Sequence, residues 1–189
     1  MVDYNSASSL STALRGVDVV VSALNRNPEA TGSQEALARA SKEAGVKIFV
    51  PSDFGSPTEG SGNSVYVQKD TFKNKFLREL DLPYAIFYTG PFSDFALAPC
   101  VSVIFVVYEL RQIMTTLSPR FVGKLFGFDI AGGKINIKGS GKPLITFTAR
   151  PDIGSYLAYV LTSLPREKLE WRSFCIEGDR VVSSCKPIS

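Results

Sequence analysis

Apolar positions cluster into short runs separated by polar, glycine-marked turns. The β-branched run Val17 to Val21 in "GVDVVVSAL" at 16–24 predicts a strand covered on both faces of a parallel sheet. In the next stretch, "NRNPEATGSQEALARASKEAGVKIFVPS", Thr31 and Gln34 have capping-box spacing, Ala36, Leu37, Ala40 and Ala44 form a helical stripe, and Gly45 stands at a C-cap. A second run, Val46 to Val50, comes at once after it. Strand, helix and strand in this order predict a right-handed βαβ crossover and an α/β fold.

Further along, "GSPTEGSGNS" at 55–64 reads as a loop, and "VYVQKDTFKNKFLREL" at 65–80 as a helix. "LPYAIFYTG" at 82–90 predicts another parallel strand, with Pro83 at its start, where a missing donor is tolerated. The pattern then changes. "GGKINIKGSGKPLITFT" at 132–148 alternates around a turn, as a hairpin does, and "PDIGSYLAYVLTSLP" at 151–165 predicts a proline-bounded helix. The most apolar window, "FALAPCVSVIFVVY" at 95–108, is shorter than the roughly 18–20 residues a spanning helix needs, so no membrane association is expected.

Composition narrows the chemistry. The 189 residues are 44% hydrophobic, enough for a globular core, and the net charge of +3 supplies no field that would favour nucleic acid. There is no histidine, which removes Ser-His-Asp catalysis and histidine-ligated metal sites, and Cys100, Cys175 and Cys185 fit no metal spacing, so no metal is expected. Cysteine usage and the start "MVDYNSASSL", which lacks the basic start and apolar core of a signal peptide, predict a reducing, cytoplasmic compartment.

Glycine-rich phosphate loops are the first chemistry to seek in such a sheet. "GSGNSV" at 60–65 lacks a third small residue and a preceding strand, and "IKGSGKP" at 137–143 matches a Walker loop only at its "GK". Both read as turns. The helix at 65–80 says more: at about 100° per residue Val65, Phe72, Phe76, Leu77 and Leu80 form one stripe with Lys69 in its middle and Lys73 beside it. An ammonium there must snorkel, pair with an anion or lose its proton more readily, and the last alternative would suit general acid–base work. In open parallel sheets ligands bind beyond the carboxyl ends of strands. That places Ser22, Ala23, Leu24 and Asn25 at one strand end and Ser52, Asp53 and Phe54 at the next, where ordinary loop capping is the competing explanation.

"GVDVVVSAL", "EAGVKIFVPSDFG", "LPYAIFYTGPFSDF" and "DIGSYLAYVLTSLP" together resemble, in order, the NmrA-like group of NAD(P)-binding proteins, which includes isoflavone and phenylcoumaran benzylic ether reductases; the likeness is nearest to fungal members. The resemblance implies an atypical short-chain dehydrogenase fold: a partial Rossmann-like parallel sheet with helices on both faces over 1–98, an unassigned insert at 99–122, and a small C-terminal α+β substrate region over 123–189. It also implies an NADP (or NAD) cofactor and hydride transfer to a small, often aromatic substrate. The first βαβ unit, with its glycine-rich turn, is expected to have no counterpart in this chain.

Carried across by position, the resemblance places Ser22, Ala23, Leu24 and Asn25 along the cofactor and Gln34 at the opening of the following helix. Ser52, Asp53 and Phe54 then line the nicotinamide side, with Thr89 and Gly90 nearby, and Lys69 is the catalytic lysine, Lys73 the second choice. Lys69 keeps the family's spacing to Phe72 but stands one residue too far from "LPY", and Val65 holds the position a Tyr-x-x-x-Lys dyad would fill. The alternatives are a non-catalytic, dinucleotide-sensing regulator with a protein partner, and a non-functional fragment.

Overall fold

The computed structural model describes residues 2–24, 28–60, 62, 64–96, 128–129, 134–135 and 144–182. The chain divides into two compact units, Met1–Tyr88 with Leu157–Cys175, and Thr89–Tyr156 with Ile176–Ser189. Asn25 and the expected insert lie outside the described residues.

In the first unit, β1 (Val19–Val21) pairs in parallel with β2 (Ile48–Val50), with Val19 opposite Ile48 and Val21 opposite Val50. β3 (Ala85–Tyr88) pairs in parallel with β7 (Arg172–Cys175). A parallel bridge between Phe49 and Tyr84, with the Phe49 amide donating to the Pro83 carbonyl at 2.8 Å, joins the two pairs into the order β1-β2-β3-β7. α2 (Pro28–Glu43) is the crossover between β1 and β2, as the alternation of apolar runs and helical stripe predicts. Gly45 closes it at φ +76°, a conformation only glycine adopts cheaply.

The core lies on this sheet. Ile48, Phe49 and Val50 and all of Ala85–Tyr88 are buried, and Leu37, Ala38, Phe72, Leu77 and Leu82 pack with them. β1 departs from expectation. Val20 is buried but Val21, whose side chain points to the opposite face of the strand, is 44% exposed. The sequence also conceals α1 (Ala7–Ala13): Ser6 caps it by accepting from the Ser9 amide at 3.3 Å, and Leu10 turns into the core.

Two expectations about helix α2 are corrected. The helix begins at Pro28, whose fixed φ suits a first turn, so Thr31 lies inside it and not at its N-cap. Gln34 therefore does not open the helix. Its side chain turns to the strand ends instead.

The segment read as one regular helix over 65–80 is three pieces: α3 (Ser64–Thr71), a π-turn (Phe72–Phe76) and α4 (Leu77–Glu79). The Leu77 amide donates to the Phe72 carbonyl, five residues back, which accommodates one extra residue per turn. An extra residue of this kind equals in length the one by which Lys69 stands too far from "LPY". It also changes the facing of the helical residues around it, and Lys73 rather than Lys69 becomes the buried lysine, at 1% exposure.

In the second unit, short helix α5 (Ser93–Ala96) comes just after a parallel bridge between Phe92 and Thr148. β4 (Phe128–Asp129) pairs antiparallel with β5 (Lys134–Ile135), and β6 (Leu144–Phe147) pairs antiparallel with β8 (Asp179–Val182). The hairpin expected between 132 and 148 is thus replaced, among the described residues, by two separate ladders. Gly178 permits the β6–β8 approach, since a Cβ there would meet the Phe147 carbonyl oxygen at 2.3 Å. α6 (Arg150–Ser163), whose residues from Leu157 onward belong to the first unit, forms as predicted and leads, through a 3-10 turn at Arg166–Lys168, to β7 of that unit. No described helix is long and apolar enough to cross a membrane.

Candidate functional site

The carboxyl ends of β1 and β2 are tied together by one side chain. Gln34 Oε1 accepts from Ser22 Oγ at 2.7 Å and from the Ser52 amide at 2.8 Å, while Ser52 Oγ donates to the Leu24 carbonyl at 2.8 Å. The structure therefore brings Ser22, Leu24, Gln34 and Ser52 into one hydrogen-bonded group, with Ala23 exposed beside it and Phe54 half-buried.

Beyond Ser52 the chain turns sharply, the Asp53 amide donating to the Pro51 carbonyl at 2.7 Å, a three-residue turn that sends the Asp53 side chain inward. Asp53 is 3% exposed and meets both lysines of the helical segment. Its Oδ1 lies 3.0 Å from Lys69 Nζ and its Oδ2 lies 3.2 Å from Lys73 Nζ. Oδ1 accepts no well-directed hydrogen bond, so its tie to Lys69 is one of charge at contact distance.

Lys73 is enclosed by oxygen. Its Nζ lies 2.7 Å from Tyr88 OH, 2.8 Å from Thr58 Oγ1, 2.8 Å from Glu59 Oε1 and 3.1 Å from Asp70 Oδ1, besides Asp53. Thr58 donates to Asp70, and Tyr88 donates to Glu59. Burial alone would make Lys73 give up its proton more easily, but the hydrogen bonds to Glu59 and Tyr88, the Asp53 charge and the Asp70 bond outweigh it and hold the ammonium well above the ordinary lysine range. For Glu59, burial works upward, yet the bonds from Lys73 and Tyr88 bring its carboxyl down to about 2. Burial and the bond to Glu59 push the Tyr88 phenol up to about 12.

The lysine with an easily lost proton, one of the three fates open to a cation in an apolar stripe, is therefore not Lys73. It is a fixed cation at every ordinary pH. Lys69 is different: its side chain keeps 17% of its surface exposed and can meet a bound molecule. Sequence reasoning does not single out Thr58, Glu59, Asp70 or Tyr88. Asp70 stands one helical turn before Lys73 and Tyr88 ends a strand, which are weak signals, and Glu59 in its loop offers none.

Thr89 and Gly90 belong to the second unit, where Thr148 Oγ1 donates to the Thr89 carbonyl at 2.7 Å. Gly90 has φ +64°, and a Cβ there would stand 3.0 Å from the Thr146 carbonyl oxygen, so the position requires glycine.

The profile of the NmrA-like family matches residues 1–170. Pinoresinol reductase 1 of Arabidopsis thaliana is 30% identical over 162 residues, 84% of this chain and 46% of that protein. Among solved structures, AtPrR2 with NADP+ and (+)pinoresinol superposes with a TM-score of 0.66 at 21% identity, covering 93% of this chain and 51% of that one. An NADPH-dependent quinone oxidoreductase from Escherichia coli, complexed with NADPH, gives a TM-score of 0.64 at 16% identity, covering 97% and 54%. At these identities the structures establish the Rossmann-like fold. The chain spans about half the length of each of these relatives.

Proposed function

The chain belongs to the NmrA-like family, and from that premise we propose that it serves an NADPH-dependent reductase acting on a small, aromatic substrate. The observation that carries the reading is the placing of a partly exposed cation, Lys69, on Asp53, the residue next to Ser52 at the strand-end wall.

The residues fit the reactive end of a nicotinamide dinucleotide. Ser22, Ala23 and Ser52 are small and stand at neighbouring ends of a parallel sheet, and the Gln34 bonds fix the two ends relative to each other. Ser22, Ala23, Leu24, Ser52 and Phe54 would hold the cofactor there. NADPH, when bound, supplies a hydride. Lys69 Nζ donates a proton or a hydrogen bond to the substrate oxygen that gains charge, and Asp53 keeps that ammonium in place. Lys73, saturated by its own partners, takes no part in proton transfer. The reductase names of the relatives support a quinone or a pinoresinol-like substrate.

The test is turnover, followed as loss of NADPH absorbance with pinoresinol or a quinone present. Lys69→Ala is expected to lose on the order of 100-fold or more, the range of a general acid–base group. Equal turnover in wild type and variant would contradict the reading, and NADPH binding without any turnover in the wild type would replace it with dinucleotide sensing.

A further inference from the structure

We propose that Asp53 is a positioning residue: one carboxylate oxygen is anchored on the enclosed Lys73 ammonium so that the other aims Lys69 Nζ at the strand-end crevice. The inference rests on the reading of Lys69 as the group that meets substrate, and it adds what holds that group still.

Lys69 and Lys73 are four residues apart, so they share a helix face and their like charges repel. A lone ammonium on a flexible four-carbon stem, pushed from its neighbour, would sample many positions. Asp53 stands between the two and converts repulsion into a shared attraction, at 3.0 Å to one and 3.2 Å to the other.

The anchor is rigid on the Lys73 side. An ammonium has three donors, and Lys73 faces the oxygens of Tyr88, Thr58, Glu59, Asp70 and Asp53, so it has nowhere else to go. The backbone of Asp53 is pinned by its bond to Pro51. What remains is Oδ1, buried and without a directed hydrogen bond, facing the one cation of this cluster that keeps some exposure. A carboxylate serving the fold alone would have both oxygens satisfied.

The direct test is trace acetylation of the full chain with acetic anhydride across pH, with the Lys69 peptide quantified by mass spectrometry. In the wild type Lys69 should react slowly. Asp53→Asn, which keeps the shape and removes the charge that holds the ammonium, should speed it several-fold, and Asp53→Glu should restore most of the protection. A role confined to the fold would lower stability in both variants and leave the Lys69 rate of the folded chain unchanged, and that result overturns the proposal. Should Asp53→Asn not fold, the wild type answers by salt. Lys69 should stay protected in molar KCl, where screening acts over about 3 Å, while Lys47, whose partner Asp18 is exposed, speeds up. A Lys69 that reacts as fast as Lys47 would defeat the idea. Acetylation reads Lys69 whether or not the chain reduces anything, so failure here is distinct from a failure of the reductase reading, which turnover of Lys69→Ala reports.

Discussion

Lys73 Nζ lies 2.7 Å from Tyr88 OH, although the two residues are 15 positions apart and come from different elements. The sequence holds no Tyr-x-x-x-Lys pair at Lys69, yet the fold assembles a tyrosine–lysine contact from the π-turn and the end of β3. Its chemistry is not that of an acid–base dyad, because Tyr88 is pushed up to about 12 and donates to Glu59. A phenol whose folded pKa exceeds its ordinary value of about 10 adds stability that is full below pH 10 and is lost as pH rises toward 12. Lys73, also raised, acts in the same sense at higher pH still. Alkaline absorbance titration should show a late step near pH 12, belonging to Tyr88. Tyr88→Phe should remove that late step and flatten the fall of urea stability between pH 10 and 12.

The two lysines should separate cleanly by stability. Lys73→Met strands Asp53, Asp70 and Glu59 around a lost buried cation and should cost about 3–5 kcal/mol in urea unfolding. Lys69→Met removes one partly exposed pair and should cost about 1 kcal/mol. Equal losses would mean that the division between anchor and reactive group is wrong.

Gln34 carries the join between β1 and β2. Gln34→Leu leaves the Ser22 hydroxyl and the Ser52 amide without their acceptor and should cost about 1–3 kcal/mol by chemical denaturation. Gln34→Glu, which keeps an oxygen in place, should recover most of it.

What can be read from the chain, and what cannot, divides along physical lines. β2, β3 and α6 announce themselves through apolar runs and proline boundaries, and Gly45 through its place after a stripe. Lys69 and Lys73 are visible as cations in an apolar helix, but which one is buried depends on a π-turn, and a single extra residue in a turn leaves no periodic trace. Gln34 stands out for its spacing to Thr31, and the structure gives it a different partner set because the helix begins earlier, at Pro28. The pairing of β6 with β8 rather than with β5 is a long-range choice that local alternation does not encode.

The central claim is that the ends of β1 and β2 hold the reactive end of a dinucleotide. Fluorescence titration of the full chain with NADPH tests it most directly: saturable enhancement is predicted, weakened by Ser52→Phe, which fills the crevice while leaving the Lys73 cluster intact. A flat response up to about 1 mM NADPH, which bounds binding at about 4 kcal/mol, would contradict it.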